Sequence, residues 1–213
     1  MWTLPSDGVW PLGSVVSPLG GVVTPAQTAA LSTWLNLLTE WNAQIDLTAA
    51  RSVDELLDLM LADAVILADR VTKGAKVIDV GSGAGAPGLA LAILRPDLNV
   101  TLVEPLAKRV TFMQAVLAAI GRSDVAIERI KVAQLPKRKE GNRWDWAMAR
   151  ATLAPPAWLR AAGELVDIGG VATVFLAKAE PPVERGWSAT TDRSYIWPGT
   201  GMSRRQVDYV KVR

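Results

Sequence analysis

The sequence predicts a doubly wound α/β fold: a mostly parallel sheet closed by an antiparallel hairpin and preceded by helices. Three observations carry this. From Lys76 onward, short apolar runs alternate with helical stretches of about ten residues, the pattern of parallel βαβ units. A glycine cluster, Gly81-Ser82-Gly83-Ala84-Gly85, follows the first of these runs. The last two runs are joined only by Pro198-Gly199-Thr200-Gly201, with no helix between them, and read as a hairpin.

The elements follow in order. Residues 1–23 carry Pro5, Pro11, Pro18 and several glycines and are expected to form an irregular arm. Thr24-Pro25-Ala26-Gln27 is a helix start, with a cap, a proline in the first turn and a glutamine three residues on. Leu31, Trp34, Leu35, Leu38 and Trp41 then recur at helical spacing. Ser52-Val53-Asp54-Glu55 is a second capping box, ahead of an apolar face of Leu56, Leu59, Met60, Ala64 and Leu67. Strands are expected at Val77–Val80, Val100–Val103, Val125–Ile130, Trp144–Ala149 and Val171–Leu176. Helices are expected at Gly88–Leu94, Leu106–Ile120 and Pro155–Leu165. Ser194–Trp197 and Gln206–Val212 form the hairpin, giving seven strands in all.

Composition narrows the chemistry. The chain has 213 residues, half of them hydrophobic, which suits a folded domain and not a disordered chain. No apolar run reaches the ~18–20 residues that span a bilayer, and the start does not read as a secretory signal. There is no Cys, so disulfides and thiolate metal sites are excluded, in keeping with a cytoplasmic protein and no bound metal. There is no His either, so any reaction proceeds without an imidazole base. The formal net charge is only +2, so long-range attraction to nucleic acid is weak and contacts would come from local patches. Two patches qualify: Lys137-Arg138-Lys139 through Arg143, and Arg204-Arg205 through Lys211 and Arg213. Each reads equally well as a solvated loop or a charged strand edge.

The loop Asp79-Val80-Gly81-Ser82-Gly83-Ala84-Gly85 lies at the carboxyl end of a strand, where open α/β sheets bind ligands. Glu104 ends the next strand, 23 residues after Gly81, and a carboxylate there accepts hydrogen bonds from the ribose hydroxyls of a nucleoside. A phosphate-binding P-loop would need Gly-Lys followed by Ser or Thr, which Gly88-Leu89-Ala90 does not supply. A dinucleotide site would favour a glycine at Ala86. The spacing favours S-adenosylmethionine, and a parallel sheet ending in a hairpin is the usual shape of the Rossmann-like S-adenosylmethionine methyltransferases. A ligand-free strand-to-helix turn is the remaining reading.

Asp79 to Leu89, including Ala86-Pro87-Gly88, resembles the signature of the bacterial 16S ribosomal RNA methyltransferase G family, also called glucose-inhibited division protein B. Trp41-Asn42-Ala43-Gln44-Ile45-Asp46-Leu47-Thr48 resembles a second segment of that family. Lys108-Arg109, Trp144-Asp145 to Arg150-Ala151, and Arg205-Gln206-Val207 to Lys211 continue the likeness in order, from about residue 30 to the end. The sequence departs from the family pattern at Ala86 (usually Phe), at Leu59-Met60 (an Arg-His pair) and at Ala64 (Ser beside the retained Asp63). It also has Ala133 or Gln134 in place of an acidic residue, and Ala179 in place of Gly after Lys178.

The resemblance implies methylation of guanine N7 in small-subunit ribosomal RNA, with rRNA or the small subunit as partner and a monomeric enzyme. It implies one methyltransferase domain over residues 24–213, with a helical extension at 24–72. Gly81, Ser82, Gly83, Ala84 and Gly85 would line the methionine part of the cofactor, with Asp79 bracing the loop. Glu104 and Pro105 would meet the ribose, and the backbone at Val132 and Ala133 the adenine. Arg150 would stand at the acceptor as the catalytic-site cation and would also contact the cofactor, while Arg109, Lys178 and Arg205 would contact RNA. Asn42 and Asp63 would tie the N-terminal helices to the sheet. Two other readings stay open: a methyltransferase with a small-molecule acceptor, and a non-catalytic RNA-binding relative that kept the fold. The nine Trp residues mostly read as core, with Trp144 and Trp146 expected on one side of their strand.

Overall fold

The computed structural model describes residues 9–135, 139 and 143–213; Trp2, Lys137 and Arg138, and with them most of the first basic patch, lie outside these. The chain opens on a short helix, α1 (Gly13–Val16), followed by α2 (Pro25–Asn42). Next come α3 (Val53–Leu57), a π-helical segment (Asp58–Ala62) and α4 (Asp63–Ala68), which run on as one helical stretch. The stretch expected as an irregular arm is thus partly helical. Trp10, Leu12, Val15 and Val16 are buried there, and Trp10 Nε1 donates to Asn36 Oδ1 at 2.7 Å. Turn residues mark where a backbone bends, but apolar side chains between them still seek a core.

The α2 start is a complete capping box: Thr24 Oγ1 accepts from Gln27 N, and Gln27 Oε1 accepts from Thr24 N. The Ser52 box is only half formed. Ser52 Oγ accepts from Glu55 N, but the Glu55 carboxylate reaches one residue further back, to Arg51 N at 2.8 Å.

The α/β part follows: β1 (Lys76–Val80), α5 (Gly88–Leu94), β2 (Asn99–Val103), α6 (Ala107–Ala119), β3 (Ala126–Glu128), β4 (Trp144–Ala149), α7 (Pro155–Ala162) and β5 (Val166–Leu176). The hairpin strands are β6 (Trp187–Ile196) and β7 (Ser203–Lys211). The seven strands lie in the order β3-β2-β1-β4-β5-β7-β6. β1 pairs in parallel with β2 and β4, while β7 inserts antiparallel between β5 and β6. β5 and β6 are several residues longer than their apolar runs, because the added stretches, residues 167–170 and 188–193, are half-buried or exposed and interrupt the apolar pattern.

Two apolar clusters cover the sheet. The larger holds residues of α1 to α6 together with Val77, Val100, Leu102, Trp146 and Met148. The smaller holds Ile78, Val80, Trp144, Ala147 and Ala149 with Trp158 and Leu159 of α7. Trp144 and Trp146 therefore lie on opposite sides of the sheet, contrary to the single side that simple alternation predicts for them. A register irregularity between them, where β4 pairs with β5, breaks the two-residue period.

Candidate functional site

The carboxyl ends of β1, β2 and β4 open onto a cleft of about 610 Å³. The glycine loop forms its floor. Gly81 and Ser82 N both donate to Val103 O, at 2.7 and 3.1 Å, which stitches the loop to β2. Gly81, Gly83 and Gly85 have φ of 78°, 59° and 108°, a region that side-chain-bearing residues rarely adopt. A Cβ on Gly81 would stand 2.1 Å from Thr152 Oγ1, so glycine is also needed there for close approach. A Cβ on Gly83 would find nothing nearer than 4.0 Å and would project into open space. Trp34 braces the loop from below, with Nε1 donating to Ala84 O at 3.1 Å.

Glu104 is buried at the end of β2. Its Oε2 accepts from Gly83 N at 3.0 Å and its Oε1 from Leu106 N at 2.9 Å. The carboxylate thus fixes the loop and still has acceptor sites left for a ligand in the cleft. Arg109 Nη1 lies 3.7 Å from Glu104 Oε2 and balances its charge. Asp79 sits under the loop, fully buried. Its Oδ2 accepts from Gly88 N at 2.9 Å, and among the described residues its Oδ1 has no partner. Burial raises its carboxyl from the ordinary 3.8 to about 6, against the lowering effect of the Gly88 hydrogen bond; the Ser82 hydroxyl donates instead to the Asp79 backbone oxygen at 3.0 Å. Gly88 permits this packing, since a Cβ there would come within 2.5 Å of Asp79 Oδ2.

On the opposite wall stands Arg150, just after β4. Its Nη1 donates to Leu59 O at 2.7 Å and to Asp63 Oδ2 at 2.8 Å. Leu47, Thr48 and Ala49 line the cleft as well, on a loop held by Asn42 Oδ1, which accepts from Leu47 N and Thr48 N. Leu59 and Met60 complete an apolar wall at the positions where the family pattern has Arg-His.

Of the residues expected at the site, Gly81, Ser82, Gly83, Ala84, Glu104, Pro105, Arg109 and Arg150 line this one cleft. Asp79 and Gly85 support it from beneath. Val132 and Ala133 lie on a 3-10 turn after β3 and are not part of the lining. Lys178 is exposed beyond β5 and is not part of the lining. Arg205 does not line it either and is doubly paired, with Asp192 at 2.6 Å and Glu180 at 3.3 Å. In the same patch Arg204 lies over the Trp197 ring at 3.9 Å, and Lys211 Nζ donates to Gly163 O and Val166 O. Thr152, which braces the loop through Val80 O at 3.1 Å, is a lining residue that the sequence reading missed. No short-range pattern signals it, because its partner lies 72 residues earlier in the chain, at the end of β1.

Comparison with known proteins bears directly on this cleft. Residues 27–182 match the family model of rRNA small subunit methyltransferase G. The chain belongs to this family. A ribosomal RNA small subunit methyltransferase G of Myxococcus xanthus is 31% identical over 200 residues, covering 91% of this chain and 92% of that protein. The protein of that name from Anaeromyxobacter dehalogenans (strain 2CP-1) is 32% identical, covering 78% of this chain and 77% of its own length. Among solved structures, a Burkholderia thailandensis 1,6-didemethyltoxoflavin-N1-methyltransferase with bound S-adenosylhomocysteine superposes with a TM-score of 0.56. It covers 91% of this chain and 93% of its own at 16% identity, a likeness of fold. The fold is that of the Rossmann-like methyltransferases, as expected. The match to the family covers the glycine loop, Glu104 and Arg150 in one continuous stretch.

Proposed function

We propose that the protein transfers a methyl group from S-adenosylmethionine to N7 of a guanine in 16S ribosomal RNA, acting as a cytoplasmic monomer. The observation that carries this is the joining of Gly83, Glu104 and Arg150 in one cleft by a chain of this family. The residues present fit the cofactor. Gly83 leaves a cradle open where any side chain would project, and the buried Glu104 offers free acceptor sites beside it.

Bound there, S-adenosylmethionine supplies a methyl group on an electrophilic sulfonium. The backbone of Gly81, Ser82, Gly83 and Ala84 would hold its methionine part, and Glu104 its ribose hydroxyls. Pro105 would flank the ribose, and Val132 and Ala133 would reach the adenine from the 3-10 turn. Arg150 would orient the acceptor base or its phosphate through Nε and Nη2, which its protein hydrogen bonds leave unused among the described residues. Ring N7 of guanine carries an exposed lone pair, so positioning supplies most of the catalysis and no side-chain base is required. That suits a chain without histidine. Arg109 would add a contact at the cleft mouth, with Lys178 and Arg205 further out on the RNA. Residues 24–213 would act as one domain, with residues 24–72 closing the cleft as a helical extension.

The test is methylation of small subunits and of naked 16S rRNA from a strain lacking this modification, using labelled cofactor and mapping of 7-methylguanine. Calorimetric titration with S-adenosylmethionine runs alongside, with Glu104→Gln as control. The expected result is label in one guanine and cofactor binding that the substitution abolishes. Cofactor binding without rRNA labelling would favour a second reading, a small-molecule acceptor. The apolar wall of Leu47, Leu59, Met60 and Leu106 supports that reading. Absence of cofactor binding would sink both and leave a non-catalytic relative.

A further inference from the structure

Arg150 is held by a buried polar chain that runs from the cleft into the C-terminal hairpin. Asp63, only 3% exposed, has every side-chain oxygen occupied. Its Oδ2 accepts from Arg150, and its Oδ1 accepts from the Tyr195 hydroxyl and from Trp197 Nε1 at 3.3 Å. Gln206 Nε2 donates to Asp63 O and to the Tyr195 oxygen, both at 2.9 Å. Gln206 Oε1 in turn accepts from Arg70 Nη2 at 2.6 Å, and Arg70 pairs with Asp208 at 2.7 Å. Burial, and then the charge of Asp63, push the Tyr195 hydroxyl far above its usual range, so it remains a donor. The π-helical segment contributes the second acceptor. It carries Leu59, whose O accepts from Arg150 Nη1 at 2.7 Å, and π-helical turns of this kind are frequent at functional sites. The hairpin is fixed relative to that segment, because Asp58 accepts from Gly199 N, Thr200 N and Thr200 Oγ1.

We infer that Asp63 and Tyr195 are positioning residues for methyl transfer: Tyr195, reaching from β6, orients the Asp63 carboxylate, which fixes the Arg150 guanidinium at the cleft wall. This rests on the role proposed above for Arg150. Neither side chain lines the cleft, so both act through Arg150. The hairpin thereby becomes part of the site, although its strands stand at the far edge of the sheet.

The experiment is a double-mutant cycle of Tyr195→Phe and Arg150→Ala, reading kcat, KM for the RNA and the calorimetric Kd for cofactor. Phenylalanine keeps the ring and removes only the hydroxyl, which donates to Asp63 and accepts from Gln206 Nε2; Gln206 Nε2 keeps its bond to Asp63 O. Tyr195→Phe should lower kcat about tenfold, the size of one hydrogen bond to a charged group, with cofactor affinity unchanged. In the Arg150→Ala background it should cost nothing further. Equal losses in both backgrounds, or a parallel loss of cofactor affinity, would show a merely structural role and overturn the inference. Asp63→Asn should cost more than Tyr195→Phe; if it fails to fold, the tyrosine variant decides alone. If the wild type leaves rRNA unmethylated, the functional reading fails separately. The positioning is then read from the Arg150 side-chain signal in ¹⁵N-arginine spectra, assigned by its loss in Arg150→Ala. That signal should move in Tyr195→Phe, and an unmoved signal would overturn the inference.

Discussion

At the scale of single residues, the loop couples conformation to charge. Asp79 has its carboxyl raised to about 6 from 3.8, chiefly by burial. Its proton is therefore held more tightly in the folded state. The favourable contribution is complete below pH 4 and is lost as pH rises toward 6, beyond which the ionised buried carboxylate is a constant cost of roughly 3 kcal/mol. Asp79→Asn has no such titration. In urea unfolding, the stability of the wild type relative to this variant should fall by about that amount, roughly 3 kcal/mol, between pH 4 and 7. A pH-independent difference would refute the buried-carboxylate account. The glycines divide differently. Gly83→Ala places a methyl group in open space and should cost only about 1 kcal/mol, from the positive φ, while weakening cofactor binding more than tenfold. Gly81→Ala meets Thr152 as well, so its melting temperature should fall further. Calorimetry and thermal melts on the pair separate the two effects.

At the scale of elements, the decisive feature is the helical stretch α3–π–α4. A regular helix would not combine an exposed Leu59 carbonyl for Arg150 with two inward carboxylates, Asp58 and Asp63, gripping the hairpin from one side. Asp58 is fully buried and takes three hydrogen bonds from Gly199 and Thr200. A Cβ on Gly199 would stand 2.8 Å from Asp54 Cβ, so the turn needs glycine to sit this close. Asp58→Ala strands those donors and should destabilise by about 3 kcal/mol, seen as a lower urea midpoint. An unchanged midpoint would mean that the turn is held by its apolar neighbours instead.

At the scale of the whole molecule, the sheet and its N-terminal helices are joined by ionic contacts as well as by the core. Arg70 of the segment after α4 donates to Asp208 of β7 and to Gln206, and Asp208 also accepts from Thr173 of β5 at 2.7 Å. Asp208 is 2% exposed. Arg70→Ala would leave that buried carboxylate without its cation and should cost about 3–5 kcal/mol, measurable by denaturant unfolding. Replacing both residues together, Arg70→Met with Asp208→Leu, should cost less than the single change.

What the sequence determined by itself is the local and the periodic. The βαβ alternation, the glycine loop, Glu104 23 residues after Gly81 and the Thr24 capping box all follow from short-range stereochemistry and apolar spacing. They were legible because each rests on short runs of residues and the regular spacing between them. Only the tertiary structure decided which face Trp144 takes, because a register irregularity is a property of two paired strands. Only it decided that Trp10 and α1 join the core, since burial depends on a partner surface that the segment itself does not encode. Only it, too, separated Arg109 and Arg150 in the cleft from Arg205, neutralised by Asp192 and Glu180 on the hairpin. A cation reads the same in any sequence. Arg150 and Arg205 are both held by carboxylates, Asp63 and Asp192, so what separates them is which residues line the cleft, and that is fixed only when the strands and helices assemble around it.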